Sequence, residues 1–305
     1  MDSDLLILTS PPASGKTYWI STFHQSLEGK PILVISPLRA LADECKNNWP
    51  HSITVMTPEE WENKKNDHEI VIFDEFHLFF YWGDTFRFRM WEAFYQIVSG
   101  ARLTILLTAT LSEEIKSEVL NFRNHFDSIR WINCGNQILK YSPQLYLKAP
   151  SKKWLVNQLE SEDVNEGVKL IFCQYRQEVY DLEKRLTKSG HTCISCIGGE
   201  SKLMAKKLIT NPNPDFIICT TVLSHGVNLP SIKRVYLLYE IKNMDFWIQM
   251  VARGGRKGEA FEVFGLEAPF NLKWKAWKNF ILIFYLTILR KVSIHSLRKT
   301  MFISK

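Results

Sequence analysis

The sequence predicts two tandem parallel-sheet α/β domains followed by a short basic C-terminal helical segment. Three observations point there. Short apolar runs alternate with helical stretches along most of the chain, the pattern of βαβ units rather than of hairpins. Several of those runs are near-continuously apolar, as expected of strands covered on both faces. The 305 residues are about two domains' worth of chain, and 46% hydrophobic side chains are enough for sizeable cores. The expected division is residues 1–140, residues 141–268 and a basic, aromatic segment over 269–305, with the boundary near Tyr141. There the composition turns polar, and Pro143 and Pro150 break the pattern.

Leu5-Leu-Ile-Leu-Thr9 reads as a buried strand and residues 18–27 as a helix, with Ser10-Pro-Pro-Ala-Ser-Gly-Lys-Thr17 between them. A strand, a tight loop ending Gly-Lys-Thr and a helix are the setting of a phosphate-binding loop. The loop around Pro12, Ala13, Ser14 and Gly15 and the helix N-terminus present partial positive charge to phosphates. Pro12 itself offers no N–H, and Ser10 stands where the pattern usually has its first glycine. Lys16 is placed to reach β- and γ-phosphates, and Thr17 to hold Mg²⁺ by its hydroxyl.

Pro31-Ile-Leu-Val-Ile-Ser36 is the second strand, running into a helix that starts at Pro37-Leu-Arg-Ala-Leu-Ala-Asp-Glu44. Arg39 therefore lies just past a strand's C-terminal end, where open α/β sheets bind ligands. It reads either as a contact to a nucleic-acid phosphate or as a surface arginine. Ser52-Ile-Thr-Val-Met56 is the third strand. Thr57-Pro58-Glu59-Glu60 then opens a helix, with a hydroxyl cap, Pro at the first position and Glu three after the cap. Capping suffices to explain Thr57; a contact to a phosphate backbone is the alternative.

Glu69-Ile-Val-Ile-Phe73 delivers Asp74-Glu75-Phe76-His77 to the sheet's edge. Adjacent carboxylates at a strand end are costly unless a cation or a proton uses them. Asp74 can support Mg²⁺, and Glu75 can orient and deprotonate a water attacking a γ-phosphate. His77 is either a link across a cleft or structural. The aromatics of residues 78–98 read as a helix packed on the core rather than a base-stacking surface. Residues 101–107 form a strand ending in Thr108-Ala-Thr110. These hydroxyls can couple the nucleotide site to a bound strand, or simply lead into a helix capped at Ser112. Residues 128–134 are the last strand of the first domain.

In the second half, Val168-Lys-Leu-Ile-Phe-Cys173 is a strand, residues 176–189 a helix and residues 191–197 a strand. Phe216-Ile-Ile-Cys219 leads into Thr220-Thr-Val-Leu-Ser-His-Gly-Val-Asn-Leu-Pro230. Cys193 and Cys196 have no second pair at zinc spacing and sit in a strand, so they read as plain thiols. Gln249-Met-Val-Ala-Arg253-Gly-Gly-Arg256 follows Phe246-Trp-Ile on an expected helix. A helical turn would aim the two arginines the same way. Such a pair can meet charge growing on a γ-phosphoryl group, and Gln249 can polarise the same oxygen or water.

Composition narrows the setting. The six cysteines are scattered and no secretory signal opens the chain, so a reducing cytoplasm is expected. The longest apolar run, residues 280–289, is about half of a bilayer span, and no stable membrane association is expected. Net charge is +6, but residues 269–305 carry eight Lys or Arg and no Asp or Glu. That segment is either a solvated surface or a polyanion-binding edge, and Trp274, Trp277, Ile281, Phe284 and Ile288 form a helical stripe expected to pack on the second domain, a membrane-surface helix being the lesser reading.

Taken in order, Pro-Ala-Ser-Gly-Lys-Thr, Pro37-Leu-Arg-Ala-Leu, Asp74-Glu-Phe-His77, Thr108-Ala-Thr110, Leu170-Ile-Phe-Cys-Gln174, Gly226-Val-Asn-Leu-Pro230 and the segment from Gln249 to Arg256 resemble a superfamily 2 nucleic-acid helicase of the DExH kind. The Ski-like branch is the most similar, reduced to its two motor domains. The resemblance implies two RecA-like domains with ATP and Mg²⁺ in the cleft between them. Lys16, Thr17, Asp74 and Glu75 would come from the first domain; Gln249, Arg253 and Arg256 would come from the second, the last two as arginine fingers. Gly226 and Asn228 match the segment near the nucleotide sugar and γ-phosphate. Arg39, Thr57 and Thr220 match positions that hold a nucleic-acid backbone, single-stranded or partly duplex.

Three departures accompany the resemblance. Few residues precede the phosphate loop, so the adenine-reading glutamine motif is missing. Ala252 stands where glycine is usual. The winged-helix and ratchet domains are absent, so a protein partner that replaces them is an expectation. A nucleic-acid-stimulated ATPase that anneals strands or remodels complexes, and a non-hydrolysing nucleic-acid clamp, are the other readings.

Overall fold

The computed structural model describes residues 3–28, 30–64, 68–83, 87–163, 166–221 and 229–267. Gly226, Asn228 and the segment 269–305 lie outside the described residues.

The first sheet has six strands: β1 (Asp4–Thr9), β2 (Ile32–Ile35), β3 (Ile53–Met56), β4 (Ile70–Phe73), β5 (Leu103–Thr108) and β6 (Ser128–Asn133). They run in the order β3-β2-β4-β5-β1-β6, and every neighbouring pair is parallel. The period of two along each strand explains the continuous apolar runs. Leu5, Ile7, Leu33, Ile35, Val71 and Phe73 build one core. Leu8, Ile32, Val34, Ile72 and Ile105 build a second, on the opposite face.

Among the described residues, six α-helices cover these faces: α1 (Lys16–Ser26), α2 (Arg39–Asn48), α3 (Pro58–Lys64), α4 (His77–Gly83), α5 (Arg89–Gly100) and α6 (Glu113–Asn121). The start of α3 is a reciprocal capping box. The Glu60 amide donates to Thr57 Oγ1 (3.3 Å), and the Thr57 amide donates to Glu60 Oε2 (3.1 Å). Ser112 caps α6 by its side chain alone, accepting from the Ile115 amide at 3.3 Å. The aromatic stretch read as one helix is two. A Cβ on Gly83 would lie 2.7 Å from the Trp91 indole, so the absence of a side chain there lets α4 and α5 close on each other. Phe79 and Phe94 are core, Phe80, Tyr81, Trp82 and Trp91 are partly buried against it, and Phe88 and Tyr95 are exposed.

The second sheet also has six strands: β7 (Leu145–Lys148), β8 (Val168–Phe172), β9 (Cys193–Cys196), β10 (Phe216–Cys219), β11 (Ile232–Leu237) and β12 (Glu262–Gly265). Their order is β7-β12-β11-β8-β10-β9, again wholly parallel. The helices are α7 (Lys152–Glu160), α8 (Arg176–Lys188), α9 (Ser201–Thr210) and α10 (Met244–Val251). The two faces divide as before: Leu170, Phe172, Val235 and Val263 lie with α10, and Ile171, Phe216, Ile218 and Tyr236 with α7 and α8. β7 falls in the stretch that reads as a polar connection. It is a four-residue edge strand, too short to show a period. Cys193 and Cys196 are free thiols on β9, and their spacing of three puts them on opposite faces of the strand.

The loop after α10 corrects one expectation. The helix ends at Val251, so helical spacing does not aim Arg253 and Arg256 together. The chain instead turns through Gly254 and Gly255 against Phe261, the residue before β12. A Cβ would lie 2.2 Å from the Phe261 ring at Gly254 and 2.5 Å at Gly255, and Gly255 has φ +62°. Gly255→Ala should therefore destabilise the fold by more than about 1 kcal/mol, from left-handed backbone and the ring contact together. Urea denaturation checks this; an unchanged midpoint would contradict the packing.

Candidate active site

All the first-domain motifs leave the C-terminal ends of parallel strands and so reach one edge of the sheet. The loop after β1 is tied to β5, because the Ser10 amide donates to the Thr108 carbonyl (3.1 Å). The Ser14 amide donates to the Pro11 carbonyl at 3.2 Å, closing the turn. Ser10 and Ser14 share a hydroxyl hydrogen bond of 2.8 Å, so serine in the usual glycine position braces the loop rather than opening it. Ala13 (φ 59°) and Gly15 (φ 95°) take left-handed backbone, and Gly15 caps α1. Lys16 Nζ folds over the loop, 3.4 Å from the carbonyls of both Ser10 and Pro11.

Across the sheet edge, Asp74 follows β4 and is buried; its Oδ1 accepts the Glu75 amide at 2.9 Å. Burial, and then the neighbouring Glu75 carboxylate, push its pKa up to about 7, while Lys16 pulls against them. Glu75 has φ +48°, a conformation costing a residue with a side chain roughly 1–2 kcal/mol. It is held by its neighbours: the Asp74 amide bonds Ile35, and the Phe76 amide bonds Leu107, both at 2.9 Å. Both carboxyl groups line the cavity, that of Asp74 buried and that of Glu75 15% exposed.

His77 is fully buried at the start of α4. Its Nδ1 lies 2.9 Å from Thr108 Oγ1 and 3.5 Å from Glu75 Oε2. The Thr108 hydroxyl has one proton and donates it to the Thr110 carbonyl (2.8 Å), so His77 Nδ1 carries the hydrogen in their contact. Burial keeps the ring's pKa below its usual value, against the pull of Glu75 and Asp245, so the ring is neutral. Carboxylate, imidazole and two threonines thus form one buried string.

The second domain closes the cavity. Gln249 on α10, and Arg253 and Arg256 on the turn after it, line the same space of about 360 Å³ as Pro12, Ala13 and Gly15. Lys16, Thr17, Asp74 and Glu75 complete that wall. Ser14 is exposed and is not on the lining. Arg253 is only 2% exposed. Burial and the nearby Arg256 both press its pKa down, and burial does the same to Arg256, with Glu75 opposing. Guanidinium basicity is high enough that both stay charged. Buried polar atoms of Glu75 (Oε2), Gln249 (Nε2) and Arg256 (Nε) have no hydrogen-bond partner among the described residues. Clustered cationic groups beside a helix N-terminus fit an anion of several charges, and the Thr17 hydroxyl with the Asp74 carboxyl fits a hard cation such as Mg²⁺.

The nucleic-acid candidates do not converge. Thr220 lines a second cavity of about 920 Å³ with Leu38, Trp82, Arg176 and Phe246, again between the two domains. Arg39 is exposed at the start of α2, next to Leu38. Thr57 is buried and its hydroxyl is committed to the cap of α3, so the capping reading holds for it. Sequence reasoning missed Leu41 and Glu44, which face the first cavity from one side of α2 at a spacing of three. It also missed Lys140, whose Nζ donates to the Ala13 carbonyl at 3.3 Å; no local pattern marks a lone lysine in a connection.

The buried carboxyl gives a signed expectation. Asp74 is protonated in the folded chain up to about pH 7 but ionises near 3.8 when unfolded. Folding without ligand therefore takes up a proton, and Asp74 lowers stability progressively as pH rises from 4 to 7. Asp74→Asn should raise the thermal midpoint of the ligand-free chain at pH 8 far more than at pH 4. Equal shifts at both pH values would contradict the burial.

Comparison with known proteins agrees with this architecture. Residues 151–258 match the family model described as the helicase conserved C-terminal domain. The chain is 21% identical over 168 residues to the pre-mRNA-splicing ATP-dependent RNA helicase prp28 of Schizosaccharomyces pombe, covering 53% of this chain and 25% of that protein. It is 26% identical over 164 residues to the ATP-dependent RNA helicase eIF4A of Yarrowia lipolytica, covering 51% and 40%. It is 23% identical over 211 residues to the probable ATP-dependent DNA helicase RecS of Bacillus subtilis, covering 66% and 41%. The chain thus spans about a quarter of the length of the first of these relatives. Among solved structures, S. cerevisiae Dbp5 bound to RNA and ADP BeF3 superposes with a TM-score of 0.69 at 16% identity, covering 90% of this chain and 83% of that one. Mycobacterium smegmatis helicase Lhr bound to ssDNA and AMP-PNP gives 0.62 at 15% identity, covering 85% and 43%. The fold is therefore that of two tandem RecA-like domains, and the second half of the chain is similar to the C-terminal domain of helicases.

Proposed function

We propose that this chain is the motor of an ATP-dependent nucleic-acid helicase or translocase of superfamily 2. Asp74-Glu-Phe-His77 supports the DExH kind, and the Ski-like branch is the subset its motifs resemble. The single observation that carries the reading is the cleft. Two guanidiniums from one domain, that of Arg253 buried, face the phosphate-loop lysine and two carboxyl groups of the other across one cavity.

The chemistry follows from the wall. Lys16, with the N-terminus of α1, binds and orients the triphosphate of ATP. Mg²⁺, held by Thr17 and Asp74, supplies neutralisation of phosphate charge when bound. Glu75 positions a water and takes its proton as the water oxygen bonds the γ-phosphorus. The bond to the β–γ bridging oxygen breaks, releasing ADP and phosphate. Arg253, Arg256 and Gln249 stabilise the charge that grows on the transferred oxygens. These groups meet only when the domains are together, so turnover is tied to domain closure. His77, Thr108 and Thr110 carry the state of the cleft into the first domain. The cavity lined by Thr220 and the exposed Arg39 are the proposed nucleic-acid side, where backbone contacts make binding independent of sequence. A protein partner bound beside the motor is part of this reading. No helix among the described residues is long and apolar enough to cross a membrane.

Two measurements test this. Glu75→Gln should keep ATP affinity while turnover falls roughly 10²–10⁴-fold. Arg256→Ala should lower turnover by a similar or larger factor with little change in affinity, because its charge matters most as the bond breaks. Polynucleotide-stimulated phosphate release, measured beside nucleotide binding, reads both; near-normal turnover in either variant would sink its assignment. For the nucleic-acid side, Arg39→Gln should reduce the log–log salt dependence of single-strand binding by roughly 0.7, one phosphate contact. An unchanged slope would leave Arg39 a surface arginine.

A further inference from the structure

We propose that Asp245 is a positioning residue that clamps α10 to the first domain and so seats Gln249, Arg253 and Arg256 over the phosphate loop. The proposal rests on reading the cleft as a nucleotide site. Asp245 is 1% exposed on the first turn of α10. Both carboxylate oxygens are used across the domain boundary. Oδ2 accepts the Tyr81 hydroxyl of α4 at 2.7 Å. Oδ1 accepts Gln137 Nε2, from the segment after β6, also at 2.7 Å.

An acidic residue in a first helical turn is favoured by the helix dipole without being buried. Burial is the unexplained feature, because a desolvated carboxylate is costly unless its hydrogen bonds are made. Here both donors come from the other domain, so those bonds exist only when the domains are in contact. Gln137 is itself held in place. It takes left-handed backbone (φ 54°), and its amide bonds the Ala109 carbonyl between the two threonines. The Tyr81 ring packs 5.3 Å from Phe246, the next residue of α10, and Asn243 and Ser112 also face its hydroxyl.

The clamp sits one helical turn from the chemistry on both sides. Tyr81 is four residues after His77 on α4, and Gln249 is four after Asp245 on α10, so each pair shares a face. The string from Glu75 through His77 therefore meets α10 at Tyr81. A displacement of about 1 Å in a positioning group can cost roughly 10²-fold in rate, which is what loss of this anchor would allow.

The test uses the full chain with one dye on each domain and reads the fraction of molecules with the domains closed, first without ligand. Tyr81→Phe keeps the ring and removes one donor. Gln137→Asn keeps a residue tolerated at positive φ but is too short to reach. Each should lower the closed fraction and reduce ATP turnover roughly tenfold, as expected for a hydrogen bond to a charged group. Affinity for fluorescent nucleotide should change less than about twofold. Asp245→Ala should do more than either. Asp245→Asn should retain closure, since it offers Tyr81 an acceptor and a turned Gln137 a donor. Closure and turnover unchanged in Tyr81→Phe and Gln137→Asn would overturn the proposal, as would Asp245→Ala losing thermal stability with closure intact. If the wild-type chain does not hydrolyse ATP, the reading of the cleft fails, and the closed fractions of the ligand-free variants still decide the clamp.

Discussion

Like charge held out of water is the constraint on which the cleft depends. Lys16, Arg253 and Arg256 line one cavity, and neither arginine can shed its proton to relieve the crowding. On the other side, Asp74 and Glu75 are adjacent in the chain, and burial drives Asp74 towards its neutral form. Such crowding is unfavourable in a ligand-free protein, since like charges repel and a desolvated charge is costly. It becomes sensible when a polyanion and a divalent cation complete it. The fold places the cost in the cleft and offsets it in the four apolar layers that cover the two sheets.

Backbone geometry serves the same end. Glu75 takes a left-handed conformation between two anchored amides, on the wall of the cavity. The two arginines follow a helix that has already ended, on a turn whose glycines lie against Phe261. The left-handed Glu75 and the tightly packed glycines thus fall on the two lips of the cleft. Strain of roughly 1–3 kcal/mol at such a position persists only where the surroundings over-determine it. Here the anchors are main-chain bonds to β2 and β5.

The connection between the domains has its own logic. α4 carries His77 and Tyr81 on one face, and α10 carries Asp245 and Gln249 on one face. Two short helices facing each other can relay position without long-range elements, because each contact lies within a turn of the next. Lys140, reaching back to the Ala13 carbonyl, ties the connecting segment to the phosphate loop as well.

Much of the site was legible in the chain alone. Gly15-Lys16-Thr17 after an apolar run, Asp74-Glu75 after another, and the capping box at Thr57 are local patterns whose physics is complete within a few residues. The parallel architecture was legible as well, since strands covered on both faces must be apolar at every position. The tertiary structure decided what depends on neighbours distant in sequence. It showed β7 as an edge strand where the composition reads as a connection, and divided the aromatic stretch at Gly83, where Trp91 needs the space. It set the arginines on a glycine turn rather than a helix, and committed the Thr57 hydroxyl to its cap. It also revealed Asp245, Tyr81 and Gln137, whose residue types are ordinary one at a time. Their bonds span 164 and 108 residues of chain, a distance over which spacing carries no information and only packing brings donor to acceptor.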